Sequence, residues 1–195
     1  MEFQDVVRRR RMVRTFDPRP VPPEVVDRIL DNAVRAPSAG FTQGWAFLVL
    51  QGFDETERFW SATFREGKRE WCAYPGLFDA PLIIVPLSHK QAYLDRYAEP
   101  DKGRAATLGR GPAAWPQPLW WFDAGAAAEA LLLQARDEGL GACLFGLFGH
   151  EAAVLDALGV PAGWRGARTA GRRSPAGRGS SGKSCRERVP GRPEG

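Results

Sequence analysis

Apolar residues recur along the chain with periods that change from segment to segment, and those changes mark out the expected elements. Phe3, Val6 and Val7 share one face of a helix expected over residues 2–13, which runs into the basic stretch Arg8 to Arg11. Three prolines break the chain between Asp17 and Pro23. Pro22 and Pro23 then open a second helix, where a missing N–H costs nothing. Its apolar positions are Val25, Val26, Ile29, Leu30, Ala33 and Val34, and Pro37 ends it. The run Trp45 to Leu50 has strand length, and so does Pro81 to Leu87. Between them, residues 54–72 carry Phe59, Trp60, Phe64 and Trp71 among charges and predict an amphipathic helix. Glu99 to Pro118 is rich in Gly, Pro and Ala and reads as a long loop. Trp120 to Glu138 is the longest expected helix, apolar nearly all round and therefore buried on most sides. Gly139 and Gly141 end it and lead to a strand from Ala142 to Leu147, followed by a short helix from His150 to Leu158. After Trp164 the periodicity stops.

Composition changes this picture at the C-terminal end. The net charge of +4 is an average over two unlike parts: nine basic and two acidic residues lie from Trp164 onward, against eighteen and twenty-one before it. The basic stretch has a single β-branched aliphatic residue, Val189, and too little apolar surface to offset the entropy of ordering. Residues 164–195 are therefore expected to be a basic Gly/Arg/Pro/Ser-rich tail, disordered and separate from a domain over 1–163. Its composition is that of GC-rich coding sequence read out of frame, an expectation that sequencing the locus decides. A basic tail also suits nucleic acid, but stacking requires interleaved aromatics, and Gly166 to Gly195 contains none. Cys72, Cys143 and Cys185 are far apart and form no CxxC pair, so neither a metal site nor a disulfide framework is expected, and a cytoplasmic setting fits. The charged N-terminus lacks the apolar core of a secretory signal, and no apolar run reaches the roughly 18 residues that span a membrane.

Three segments carry candidate chemistry. In Arg10-Arg11-Met12-Val13-Arg14-Thr15-Phe16, Arg10 and Arg14 are four apart and can share a helix face. The run reads either as a solvated basic face or as a phosphate clamp. Ala36-Pro37-Ser38-Ala39-Gly40-Phe41-Thr42-Gln43-Gly44-Trp45 is a small-residue loop, either an ordinary connection or a close approach to a flat ligand. Gly139-Leu140-Gly141-Ala142-Cys143-Leu144-Phe145-Gly146-Leu147-Phe148 is a helix end and core strand in which Gly146 can offer a bare N–H.

Taken in order, RRMVRTF, PSAGFTQGW and GLGACLFG resemble the basic opening, the PSxxNxQPW-like loop and the GLG turn of the nitroreductase family of flavoproteins. The resemblance covers residues 2 to about 163. It implies an α+β, three-layer fold, with a central mostly antiparallel sheet flanked by helices, assembled as an intertwined homodimer. It implies FMN as cofactor and NAD(P)H as co-substrate, delivering hydride to flavin N5 for ping-pong transfer to a small-molecule acceptor (nitroaromatic, quinone or enone-like). By the same resemblance Arg10, Arg11 and Arg14 hold the FMN phosphate and pyrimidine edge, with Met12 where the family often has Ser. Pro37, Ser38 and Ala39 form the loop laid against the flavin by the partner subunit, and Gln43 matches the family glutamine. Leu144, Phe145, Gly146 and Leu147 run along the isoalloxazine ring, with the Gly146 N–H directed at N5.

The chain departs from the family at Phe41, which replaces Asn, at Gly44, which replaces Pro, and after the turn Val160 to Arg165, where the next strand is missing. A related flavin role in dehalogenation, flavin fragmentation or cofactor biosynthesis stays open, as does an inactive form with an altered tail. No catalytic side chain is required. His89 and His150 read as element ends, Asp123 and Glu129 have no evident partner, and Trp115, Trp120 and Trp121 line a pocket or fill the core.

Overall fold

The computed structural model describes residues 2–64, 69–147 and 150–166. Among them are helices α1 (Phe3–Arg9), α2 (Pro23–Ala33), α3 (Phe53–Thr63), α4 (Lys90–Ala98), α5 (Leu119–Asp137) and α6 (Glu151–Ala157). Three strands, β1 (Trp45–Gln51), β2 (Leu82–His89) and β3 (Trp164–Gly166), form one antiparallel sheet in that spatial order.

The two apolar runs seen in the sequence pair along their whole length, with Leu48 opposite Val85 and Leu50 opposite Ile83. Successive side chains point to opposite faces, so the ladder supplies two cores. On one face Leu50, Ile83, Val85 and Leu87 pack with Phe59 and Trp60 of α3 and with Val154 and Leu155 of α6. On the other, Phe47 and Ile84 meet Ile29 and Ala33 of α2 and Leu131 and Ala135 of α5. Helices, sheet and helices make the expected three layers.

Pro86 lies within the central strand, where a missing donor is usually excluded. Its position explains the exception. His89 donates its N–H to the Gly44 carbonyl on the β1 side. By alternation Pro86 turns its nitrogen away from β1, so the long β1–β2 ladder loses no donor.

Several boundaries differ from the sequence reading. The first helix stops at Arg9, because Arg10 takes an extended conformation (φ −58°, ψ 132°) and Val13 donates its N–H to the Ala142 carbonyl. Arg10 and Arg14 therefore do not share a helix face. The third helix ends at Thr63; Phe64 turns out of it, and its ring packs on Trp60 and Phe78. The expected strand over 142–147 reduces to a single parallel bridge between Met12 and Ala142. Packing holds the rest of that segment, for Phe145 stacks on Trp60 with centroids 5.6 Å apart. At the other end, Trp164, Arg165 and Gly166 do form a strand, so the pattern extends past the expected tail boundary. The Trp164 ring packs on His89, and the Gly166 N–H donates to Glu151 at 3.0 Å. The remainder of the tail, with the expectations attached to it, lies outside the described residues.

The long loop is firmly built. It folds into 3-10 turns over Pro100–Arg110 and Pro112–Ala114. The Trp115 indole N–H donates to the Leu108 carbonyl at 2.9 Å. Trp115 and Trp120 are buried with Tyr93 and Leu94 in a third core, so these tryptophans serve packing.

Candidate functional site

The arginine run and the glycine-led segment after α5 meet in space. Their contact is close: a Cβ on Gly141 would lie 2.8 Å from the Val13 side chain, which is why glycine stands there. Besides the Val13–Ala142 bond, the Leu144 N–H points at the Met12 sulfur, 3.3 Å away. Methionine at this position thus accepts from the backbone of the facing segment. Arg10 pairs with Glu129 of α5 at 3.2 Å and is half-buried. Arg11 donates from Nη1 to the carbonyls of Arg8 and Arg10, and Arg14 from Nη1 to the Met12 carbonyl, its guanidinium lying 4.9 Å from the Tyr74 ring centroid.

Five arginines thus fall between residues 8 and 14, and among the described residues their carboxylate partners are Asp5, for Arg9, and Glu129, for Arg10. Guanidiniums carry five N–H donors each, so Arg11 and Arg14, both exposed, keep donors for an anion. Beside them Leu144 and Phe145 are exposed large apolar residues, while Gly146 and Leu147 are half-buried. A cavity of about 600 Å³ continues inward between Cys143, Leu144, Phe145, Ile84 and Leu131. Burial pushes the Cys143 thiol pKa up, against the pull of Arg14. A cationic end beside a flat apolar wall fits the phosphate and ring of a flavin mononucleotide.

The Pro37–Gln43 loop sits elsewhere on the molecule. Pro37 is exposed after the end of α2. Ala39 donates its N–H to Asp123 Oδ2 at 2.8 Å, and the Tyr93 hydroxyl donates to the same oxygen at 2.8 Å. Burial first, and then this carboxylate, push the Tyr93 phenol far above its ordinary range, so it remains a donor. Ser38 Oγ accepts the Gln43 N–H at 2.8 Å, and the Gly40 carbonyl accepts from Arg96 Nε and Lys102 Nζ. Gly44, which departs from the family pattern, has a local reason: a Cβ there would lie 2.5 Å from Tyr93 Cε2.

The two halves engage α5 at different points. Asp123 and Glu129 are six residues apart, about 9 Å along the axis and about 120° around it. The structure therefore unites Arg10, Arg11, Met12 and Arg14 with Leu144 to Leu147, and leaves Pro37, Ser38, Ala39 and Gln43 on a separate surface.

Sequence reasoning missed the partners of Asp123 and Glu129. The available signal for Asp123 was an acid within an apolar stretch of helix, which burial forces to find donors; Glu129, half in solvent, carried no such signal. His89 and His150 are element ends as expected. Among the described residues no cluster of His, Cys, Asp and Glu could hold a metal, and no helix is long and apolar enough to cross a membrane.

Comparison with known proteins follows the same outline. The Nitroreductase family model matches residues 7–172. A relative from Archaeoglobus fulgidus, whose name carries both NADH dehydrogenase and NAD(P)H nitroreductase, is 28% identical over 155 residues, covering 78% of this chain and 73% of its own. A 4-nitrobenzoate reductase from Pseudomonas putida is 28% identical over 169 residues, covering 73% of this chain and 71% of its own. Among solved structures, an FMN-dependent nitroreductase from Clostridium difficile R20291 superposes with a TM-score of 0.59 at 23% identity, covering 84% of this chain and 82% of that one.

Proposed function

The chain belongs to the nitroreductase family, and from that premise we propose that it is an FMN-dependent oxidoreductase that takes electrons from NAD(P)H. Bound FMN would supply the two-electron chemistry, accepting a hydride from NAD(P)H and passing it to a nitroaromatic, quinone or enone-like acceptor in a ping-pong cycle. The observation that carries the reading is the junction of the arginine run with the Ala142–Leu147 segment.

Each part of the site has a role in this reading. Arg11 and Arg14 hold the phosphate with charge-assisted hydrogen bonds. Arg10, anchored by Glu129, orients toward the pyrimidine edge. Met12 keeps the backbone of Leu144 in place, so that Leu144 to Leu147 would form the wall for the ring and Gly146 would offer it a bare N–H. Donors preset at the place where negative charge develops need no reorganisation during turnover, so no side-chain acid or base is assigned.

The separation of the Pro37–Gln43 loop from this wall supports an arrangement in which the loop, with Pro37, Ser38, Ala39 and Gln43, completes the site of a second subunit in a homodimer. The flavin domain then includes β3 and so runs at least to Gly166, beyond the 163 boundary expected from the sequence. We place the enzyme in the cytoplasm.

The test is the visible spectrum of the purified full chain with FMN supplied. Flavin bands that bleach on addition of NAD(P)H are expected. A colourless protein that does not take up FMN refutes the assignment.

A further inference from the structure

We infer that Phe41 selects the electron acceptor, presenting an aromatic face to a planar conjugated ring. The inference rests on the reading above, in which its loop completes the flavin site. Phe41 is 76% exposed and has φ 55°, a left-handed conformation that side chains other than glycine rarely adopt. Gln43, two residues on, has φ 50°. Strain of this kind persists only where surrounding contacts over-determine it, and it concentrates at ligand-contacting segments.

The surrounding contacts here are many. Asp123 holds the Ala39 N–H, Ser38 holds the Gln43 N–H, and Thr42 Oγ1 donates to the Ala39 carbonyl. Arg96 and Lys102 converge on the Gly40 carbonyl. Gly40 is pressed so close to Tyr97 that a Cβ would lie 2.7 Å from its ring. The loop has little room to relax, and the ring at its tip is nevertheless left largely in solvent. Phe41 therefore adds little to the core that holds it.

A second exposed ring is the sequence neighbour of the aspartate that anchors the loop. Phe122, 64% exposed, precedes the aspartate that holds Ala39, while Phe41 follows Ala39 by two residues. The cations of the loop base are already committed, Arg96 to Glu99 and Asp101 at 2.8 Å each. Recognition at the tip is by ring face, and ring faces favour flat conjugated partners over aliphatic molecules or small ions.

The test compares Phe41→Gly and Phe41→Leu with the parent full chain loaded with FMN, using nitrobenzene as the planar acceptor and ferricyanide as the non-planar one. The ratio of kcat/KM for nitrobenzene to that for ferricyanide is expected to fall about three- to ten-fold in both variants. Because glycine relieves the left-handed backbone, Phe41→Gly should also raise Tm by about 2–4 °C. A ratio within two-fold of the parent, or a fall in Tm, overturns the inference. So does conversion of a dimer to a monomer on gel filtration, which would make the ring an interface residue. A parent chain without flavin bands fails earlier and refutes the flavin reading itself, so the two failures are told apart before any turnover is measured.

Discussion

Replacing Asp123 by alanine removes the carboxylate whose one oxygen, Oδ2, serves two donors, and so orphans both. The carboxylate is 9% exposed and Tyr93 is 0% exposed. Both the Tyr93 hydroxyl and the Ala39 N–H reach Oδ2 at 2.8 Å. Hydrogen bonds to a charged group contribute about 1.5–3 kcal/mol each, and a buried donor left without an acceptor costs about 1–3 kcal/mol. Since the Ala39 donor is only part-buried, the loss is expected to be about 3–5 kcal/mol, which for a chain of this length lowers Tm by roughly 6–20 °C. Asp123→Asn separates acceptor from charge. Both donors use the same oxygen, so an asparagine carbonyl placed there can accept both, at the reduced strength of a neutral pair. Its cost should be about half that of alanine. Tyr93→Phe removes one bond and leaves Asp123 paired with Ala39, costing about 1–2 kcal/mol. Urea denaturation of the three variants gives the values directly. Equal losses for alanine and asparagine, or an alanine loss below about 1 kcal/mol, would refute the view that one buried oxygen holds loop and helix together.

Other outcomes follow from the same geometry. Gly141→Ala drives a methyl group into Val13 and should cost about 1–3 kcal/mol, of which Val13→Ala in the same chain recovers a part, since contacting sites are not additive. Glu138 takes a two-pronged hydrogen bond from Arg28, with both distances 2.8 Å, which lowers its carboxyl pKa to about 2. A depressed folded-state pKa contributes stability above the ordinary 4.5 and loses it as pH falls toward 2. Glu138→Gln should therefore flatten the Tm-against-pH curve across that window, and an unchanged acid limb would contradict it. Under the proposed function, Arg11→Ala and Arg14→Ala should each weaken FMN binding about 10-fold or more, measured by flavin fluorescence, with a smaller dependence on salt than the parent.

Local pattern carried the elements whose burial is one-sided and continuous. The spacing of Val26, Ile29 and Ala33 is that of α2, and the apolar runs of β1 and β2 pair as strands of the expected length. Where a segment answers to a distant partner, the pattern misleads. Arg10 to Val13 continue a helical period, yet Ala142 and Glu129 draw them out of it. Ala142 to Leu147 are apolar enough for a strand, but among the described residues only Ala142 finds a ladder partner. The Asp123–Ala39 bond spans 84 positions, a separation no local rule reports. The candidate site was legible as three segments in order, and the structure brings the first and third into contact. That the second stands apart on α5 could not be read from them, because it depends on which turn of a helix each segment grips.

That division gives α5 the character of a measuring rod. One grip is Asp123 and the other Glu129, so the spacing between loop and arginine run is set by an integer number of residues. A helix changes length in increments of about 1.5 Å, each with a rotation of about 100°. One residue inserted between the grips would therefore swing Glu129 away from Arg10, whereas substitutions within the interval leave the spacing intact. The buried alanines within the interval, Ala124, Ala127 and Ala128, restrict which side chains fit there, while the residue count is held constant by the two ends the rod connects.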